Sequence, residues 1–190
     1  MRDLSLAAAP STPTSLVTRR SVAVVLGAAL VAVAAQISIP LPGTPVPLTL
    51  QPLAVLVVGG LLGPALGASS LVCYLALGAA GLPVFTPYGV PGLARLLGPT
   101  GGYLLAYPIA AFAVGKLAGD GRRLGRLALA VLAGLVLIHL GGLAQLVLLT
   151  GSARAALRLG TLPFIAGDLV KLALAVLLLK PTLTPLRARL

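Results

Sequence analysis

Apolar residues run through this chain in long unbroken blocks, divided by short stretches rich in proline, glycine or arginine. The blocks are apolar all round and carry no amphipathic stripe, which is the pattern of helices immersed in lipid. A span needs about 20 residues to cross about 30 Å of hydrocarbon. Six spans are read, over residues 21–37, 51–63, 64–80, 101–117, 127–150 and 162–180. The second is short and meets the third at Gly63-Pro64, where proline can open a new helix. The pattern predicts an all-α polytopic membrane protein with six transmembrane helices. One membrane domain covers 21–180, between a mobile tail at 1–20 and a second tail at 181–190. A different reading of the first block takes Arg19-Arg20, the apolar stretch and Ala32-Val33-Ala34 as a secretory signal with a small-residue cleavage site. Retention as a helix fits its Ala-rich surface better.

Composition sharpens the class. A mean hydropathy of +1.09, with 58% hydrophobic and 9% charged residues, excludes an ordinary soluble domain. A net charge of +11 in a soluble protein would point to nucleic acid. Here the basic residues flank the apolar blocks, so no nucleic-acid partner is expected and the charge sets topology instead. With six spans, Arg2, Arg19, Arg20, Lys116, Arg122, Arg123, Arg126, Lys180, Arg187 and Arg189 fall on one side. Only Arg95, Arg154 and Arg158 fall on the other. The positive-inside rule makes both termini cytoplasmic and the protein a multi-pass component of the cell membrane. Cys73, alone in an apolar run, reads as a small packed hydrophobe.

Of three acidic residues, Asp3 lies in the tail and Asp120 in a basic loop. Asp168 is left as the one carboxylate that the membrane must bury, with Lys171 three residues on. A charge near the bilayer centre costs about 2.5–3.5 kcal/mol on insertion scales. The spacing puts Asp168, Lys171 and Phe164 on one helical face. Such a pair offers carboxylate acceptors beside an ammonium donor, suited to a small ligand that displays N–H and C=O groups together. The plainer reading is a self-neutralising ion pair that joins two helices.

Two outer connections look specialised. Residues 38–52 hold five prolines and no charge, an extended segment able to lie against the protein with Thr44, Thr49 and Gln51 pointing inward. Residues 81–100 hold four prolines and four glycines, too many for a regular helix. A loop this long reads as a lid or binding loop. Its one charge is Arg95, whose planar fork suits a carboxylate; a headgroup contact is the other reading. Tyr103 and Tyr107, four apart, either wall a pocket or anchor the helix at the interface. His139 sits mid-span and reads as an interhelical hydrogen-bonder more readily than as a ligand contact. Ala28, Ala32 and Ala35 share a face, and Gly59, Gly63 and Gly67 repeat every four residues. Small residues permit close helix approach, within the subunit by default or, for the Ala face, with a second membrane protein.

Motifs for chemistry are missing. There is no phosphate loop, no H-E-x-x-H, no Cys cluster and no G-x-S-x-G. No metal, cofactor or enzymatic activity is expected, and the energy for any transport must come from a partner.

Four blocks carry a family pattern: Ile39-Pro-Leu-Pro-Gly-Thr-Pro-Val-Pro-Leu-Thr-Leu-Gln51-Pro52; Gly81-Leu-Pro-Val-Phe85; Leu93-Ala-Arg95-Leu-Leu-Gly-Pro-Thr-Gly-Gly-Tyr103; and Pro163-Phe-Ile-Ala-Gly-Asp168-Leu-Val-Lys171. Together they resemble the BioY family, the biotin-binding S components of energy-coupling-factor transporters, across residues 21–180. The resemblance implies a six-helix subunit that captures biotin from outside, with a transmembrane T subunit and two cytoplasmic ATPases supplying energy. It also implies that Arg95, Asp168 and Lys171 contact biotin, and that Ala28 and Ala32 dock the T subunit. The candidate substrate-binding set is therefore Arg95, Asp168, Lys171, Gln51, Tyr103 and Tyr107. Rival readings are a carrier or S component for another carboxylate-bearing vitamin, an intramembrane enzyme using His139 with Ser69 or Ser70, and a membrane scaffold.

Overall fold

The computed structural model describes residues 13–188 and 190. Residues 1–12, with Arg2 and Asp3, and Arg189 lie outside the described residues. Helix α1 spans Pro13–Gln36. A two-stranded antiparallel clasp follows, β1 Ser38–Ile39 on β2 Leu48–Thr49, with Ser38 opposite Thr49. Then come α2 Gln51–Ala79, the short α3 Ala94–Leu97, α4 Gly101–Leu117, α5 Leu124–Thr150, the short α6 Ala153–Gly160 and α7 Ile165–Arg187. Helix α1 starts inside the expected tail because Pro13 needs no N–H partner in a first turn. The expected tail at 181–190 is largely helical, and α7 passes through Pro181 and Pro185. Its end is held by Thr184, whose hydroxyl donates to the Asp120 carbonyl at 2.6 Å.

Helix α2 is a hairpin. Gly63 takes φ 78° and ψ −178°, and Pro64 starts the second leg. A Cβ added at Gly67 would lie 2.9 Å from the Cα of Gly59. Residues eight apart in a continuous helix are separated by about 12 Å, so the legs have folded back on each other. Gln51 and Tyr74, at the far ends of the two legs, are accordingly hydrogen-bonded at 2.5 Å. At 1.5 Å per residue the legs reach about 18 and 24 Å. The sequence boundary at Gly63-Pro64 coincides with this turn.

Small residues bring the helices together. A Cβ at Gly59 would strike the backbone of Ala111, and one at Gly115 would strike Gly63 and Pro64, so α4 lies directly on the hairpin tip. Gly102 and Gly141 bring α4 onto α5 in the same way. Lipid gives apolar side chains no reason to leave it, so close van der Waals contact of this kind supplies the association. On α1, Gly27 packs against the side chain of Ser70. Ala28 is 3% exposed and Val31 and Ala35 are fully buried. The Ala face thus packs inward on α2, with Ala32 against the same core. What α1 turns outward is the bulky ridge of Val22, Val25, Leu26 and Val33.

Exposed Leu and Val residues such as Leu129, Leu148, Leu169 and Leu177 continue that apolar surface around the molecule. On a soluble monomer it would far exceed the usual apolar patch. Among the described residues, four helices are long and apolar enough to cross a bilayer, and Gly101–Leu117 is a shorter apolar helix. The protein is an all-α, multi-pass membrane protein.

Candidate functional site

The open ends of the α2 hairpin, α4, α5 and α7 surround a cavity of about 50 Å³, roofed by the loops before α2 and before α4. Its wall is mostly apolar: Val46, Pro47, Phe85, Leu104, Leu135, Ile138 and Phe164. Into this wall are set Thr49, Gln51, Arg95, Tyr103, Tyr107, His139, Asp168 and Lys171. An apolar enclosure with a few convergent polar groups is the usual form of a small-molecule site.

Asp168 and Lys171 stand on the first turns of α7, after a 3-10 turn at Leu162–Phe164 that aims this face inward. Lys171 Nζ donates to Asp168 Oδ1 at 2.9 Å. The other carboxylate oxygen, Oδ2, lies 2.7 Å from Nε2 of His139 on α5. The pair expected from spacing is thus a triad, and its third member joins two helices. His139 is the interhelical hydrogen-bonder that the sequence suggested, although nothing in a one-dimensional pattern names Asp168 on α7 as its partner. The side chains of His139 and Asp168 retain 19% and 12% exposure.

Arg95 is positioned by the four-residue α3 and held within its own loop. Nε donates to the Val90 carbonyl at 2.9 Å, Nη1 to Thr86 Oγ1 at 3.1 Å and Nη2 to the Thr86 carbonyl at 3.0 Å. Three of its five N–H groups are used, so two remain to be donated. It has no carboxylate partner among the described residues. Burial pulls its pKa below the usual arginine value, the ordinary cost of a buried charge without a counter-ion.

The loop that carries Arg95 is tied down on two sides. Gln145 of α5 donates to the carbonyls of Leu96 at 3.0 Å and Gly98 at 2.7 Å. Gln36 of α1 donates to the Phe85 carbonyl at 3.0 Å. Phe85 then packs edge-on against Tyr74, with ring centroids 5.4 Å apart, in a space that opens because residue 78 is glycine.

Of the two tyrosines on α4, Tyr103 donates to the Gly160 carbonyl at 2.6 Å and lies over Gly142. Tyr107, one turn on, is 3% exposed, and its hydroxyl has no hydrogen-bond partner among the described residues. Thr49 and Gln51 face the cavity as expected, but Thr44 turns away and donates to the Leu159 carbonyl at 2.6 Å. All six candidate substrate residues therefore line one cavity, together with Thr49 and with His139 and Thr86, the last two not singled out by the sequence as contacts. Among the described residues there is no cluster of His, Cys, Asp or Glu able to hold a metal ion.

Comparison with known proteins gives a consistent picture. The sequence model of the BioY family matches residues 7–188. A probable biotin transporter BioY from Pyrococcus horikoshii is 47% identical over 155 residues, 82% of this chain and 90% of the relative. The biotin transporter BioY of Thermotoga maritima is 39% identical over 150 residues, 79% of this chain and 87% of the relative. The crystal structure of the S-component for biotin from an ECF-type ABC transporter superposes with a TM-score of 0.81 at 29% identity. That likeness covers 90% of this chain and 94% of the other.

Proposed function

The chain belongs to the BioY family, and from that premise we propose that it is the biotin-binding S component of an energy-coupling-factor uptake transporter. The observation that carries this reading is the Asp168 carboxylate, held in an apolar cavity between Lys171 and His139 with Arg95 in the roof. Biotin ends in a ureido ring, which offers two N–H groups beside a carbonyl, and in a valerate carboxylate. Asp168 accepts from a ureido N–H group and Lys171 donates to the carbonyl beside it. Arg95 meets the carboxylate with its two spare donors. Arg95 and Lys171 together exceed Asp168 by one positive charge, the complement of a monoanionic acid. Gln51, Tyr103 and Tyr107 complete the wall, Tyr107 with a free hydroxyl.

In this reading the roof at residues 81–100 opens to admit biotin and closes over it. The two legs of α2, with α1, α4, α5 and α7, make six crossings of the plasma membrane. The basic residues then put both termini in the cytoplasm and the cavity outside. The subunit performs no enzymatic step and needs neither metal nor cofactor. A T subunit and two cytoplasmic ATPases supply the energy for release inward. Equilibrium titration of the purified, detergent-solubilised protein with biotin tests the reading: saturable binding supports it, and the absence of binding by a folded protein ends it.

A further inference from the structure

We propose that His139 is a positioning residue for ligand recognition: it locks the Asp168 carboxylate in the orientation that leaves one acceptor site on each oxygen turned to the cavity. This rests on the biotin site proposed above. A carboxylate has about four lone-pair sites and only accepts. Lys171 takes one on Oδ1 at 2.9 Å, and His139 Nε2–H takes one on Oδ2 at 2.7 Å. The remaining acceptor sites, next to the Lys171 ammonium, match a ligand that displays an N–H group beside a carbonyl.

Lys171 cannot do this alone. It stands three residues from Asp168 on the same helix, so the two side chains can swing together without losing their contact. His139 comes from α5 and is itself braced. Its Nδ1 faces the Thr161 hydroxyl at 3.4 Å. Its ring meets Tyr103 edge-on, centroids 6.0 Å apart at 81°, and Tyr103 is fixed by its hydrogen bond to the Gly160 carbonyl. Two consecutive residues, Thr161 through its hydroxyl and Gly160 through its bond to Tyr103, therefore hold the imidazole from behind. Packing and hydrogen bonds that lock a supporting side chain in this way are the usual means of fixing a recognition group.

The test uses the whole chain in detergent, with biotin and its ureido N-methylated analogue as probes. Charge-assisted hydrogen bonds set the expected scale: His139→Leu lowers biotin affinity about ten- to a hundredfold. His139→Gln, whose amide reaches the place of Nε2, recovers most of that loss. The wild type prefers biotin over the methylated analogue, and His139→Leu narrows the preference, which general loosening of the fold would not do. Should His139→Leu fail to fold, His139→Gln is compared with His139→Asn, whose amide lies where Nδ1 does. Tighter binding by the Gln variant supports positioning; equal binding overturns it. Wild-type affinity in a folded His139→Leu also overturns it. A wild type that binds no biotin defeats the proposed function instead, so the two failures are distinguishable.

Discussion

The guanidinium of Arg187 donates twice to the Gly60 carbonyl, from Nε at 2.9 Å and from Nη2 at 2.6 Å. Pro64 has no N–H to give the carbonyl four residues before it, so the Gly60 carbonyl is among the groups that the hairpin turn leaves without a helical partner. The same guanidinium reaches the Gly115 carbonyl at the end of α4 and the Gly119 carbonyl beyond it, both at 2.9 Å. Backbone freed at membrane depth must be satisfied from within the protein. Arg187 does this for the hairpin and ties α2, α4 and α7 together at the end opposite the cavity.

Arg187→Ala is accordingly expected to destabilise the protein by about 2–4 kcal/mol, since it strands several carbonyls at once. Arg187→Lys recovers only part, because an ammonium lacks the planar fork that spans them. Thermal unfolding in detergent measures both. Variants as stable as wild type would show that water or headgroups satisfy the turn.

Asp168→Asn should weaken biotin binding more than tenfold while leaving insertion and yield intact. The amide keeps the shape but loses charge-assisted hydrogen bonds, each worth roughly 1.5–3 kcal/mol. If only yield falls, the Lys171–Asp168–His139 cluster serves packing alone.

Arg95→Ala should weaken biotin more than it weakens biotin amide, and Arg95→Lys should fall between Ala and wild type. Lysine preserves the charge without the bidentate geometry. An equal loss for both ligands would remove the carboxylate from Arg95 and leave it as a brace for Thr86 and Val90.

Gln145→Leu removes the two hydrogen bonds that fasten Leu96 and Gly98 to α5. The roof should loosen and biotin should dissociate about three- to tenfold faster, with stability little changed, as for the loss of neutral hydrogen bonds. Stopped-flow release against excess unlabelled biotin reads this directly. An unchanged rate would mean that the roof does not gate exit.

Ala28→Leu should cost about 1–3 kcal/mol of stability, because the larger side chain is forced between α1 and α2. On α1's outer ridge, Val25→Ala is expected to be nearly silent in stability. If ATP-driven uptake tracks Val25 and not Ala28, partner docking lies on the ridge. Loss of uptake in a fully stable Ala28→Leu would restore the Ala face as the docking surface.

What the sequence determined by itself follows from short-range physics. Uninterrupted apolar runs specify helices in lipid, Gly63-Pro64 specifies a break, and a lone Asp three residues from a Lys marks a polar face. None of these needs a partner distant in the chain. Tertiary structure decided everything that depends on which helix faces which. It set His139 against Asp168 across 29 residues and placed Gln145 under the roof. It turned Ala28 inward, and it gave Arg187 to Gly60 across 127 residues. In a chain apolar on all sides, periodicity does not distinguish the face that packs from the face that meets lipid. Close contacts between glycines, and the few polar groups that must find one another inside, settle that choice.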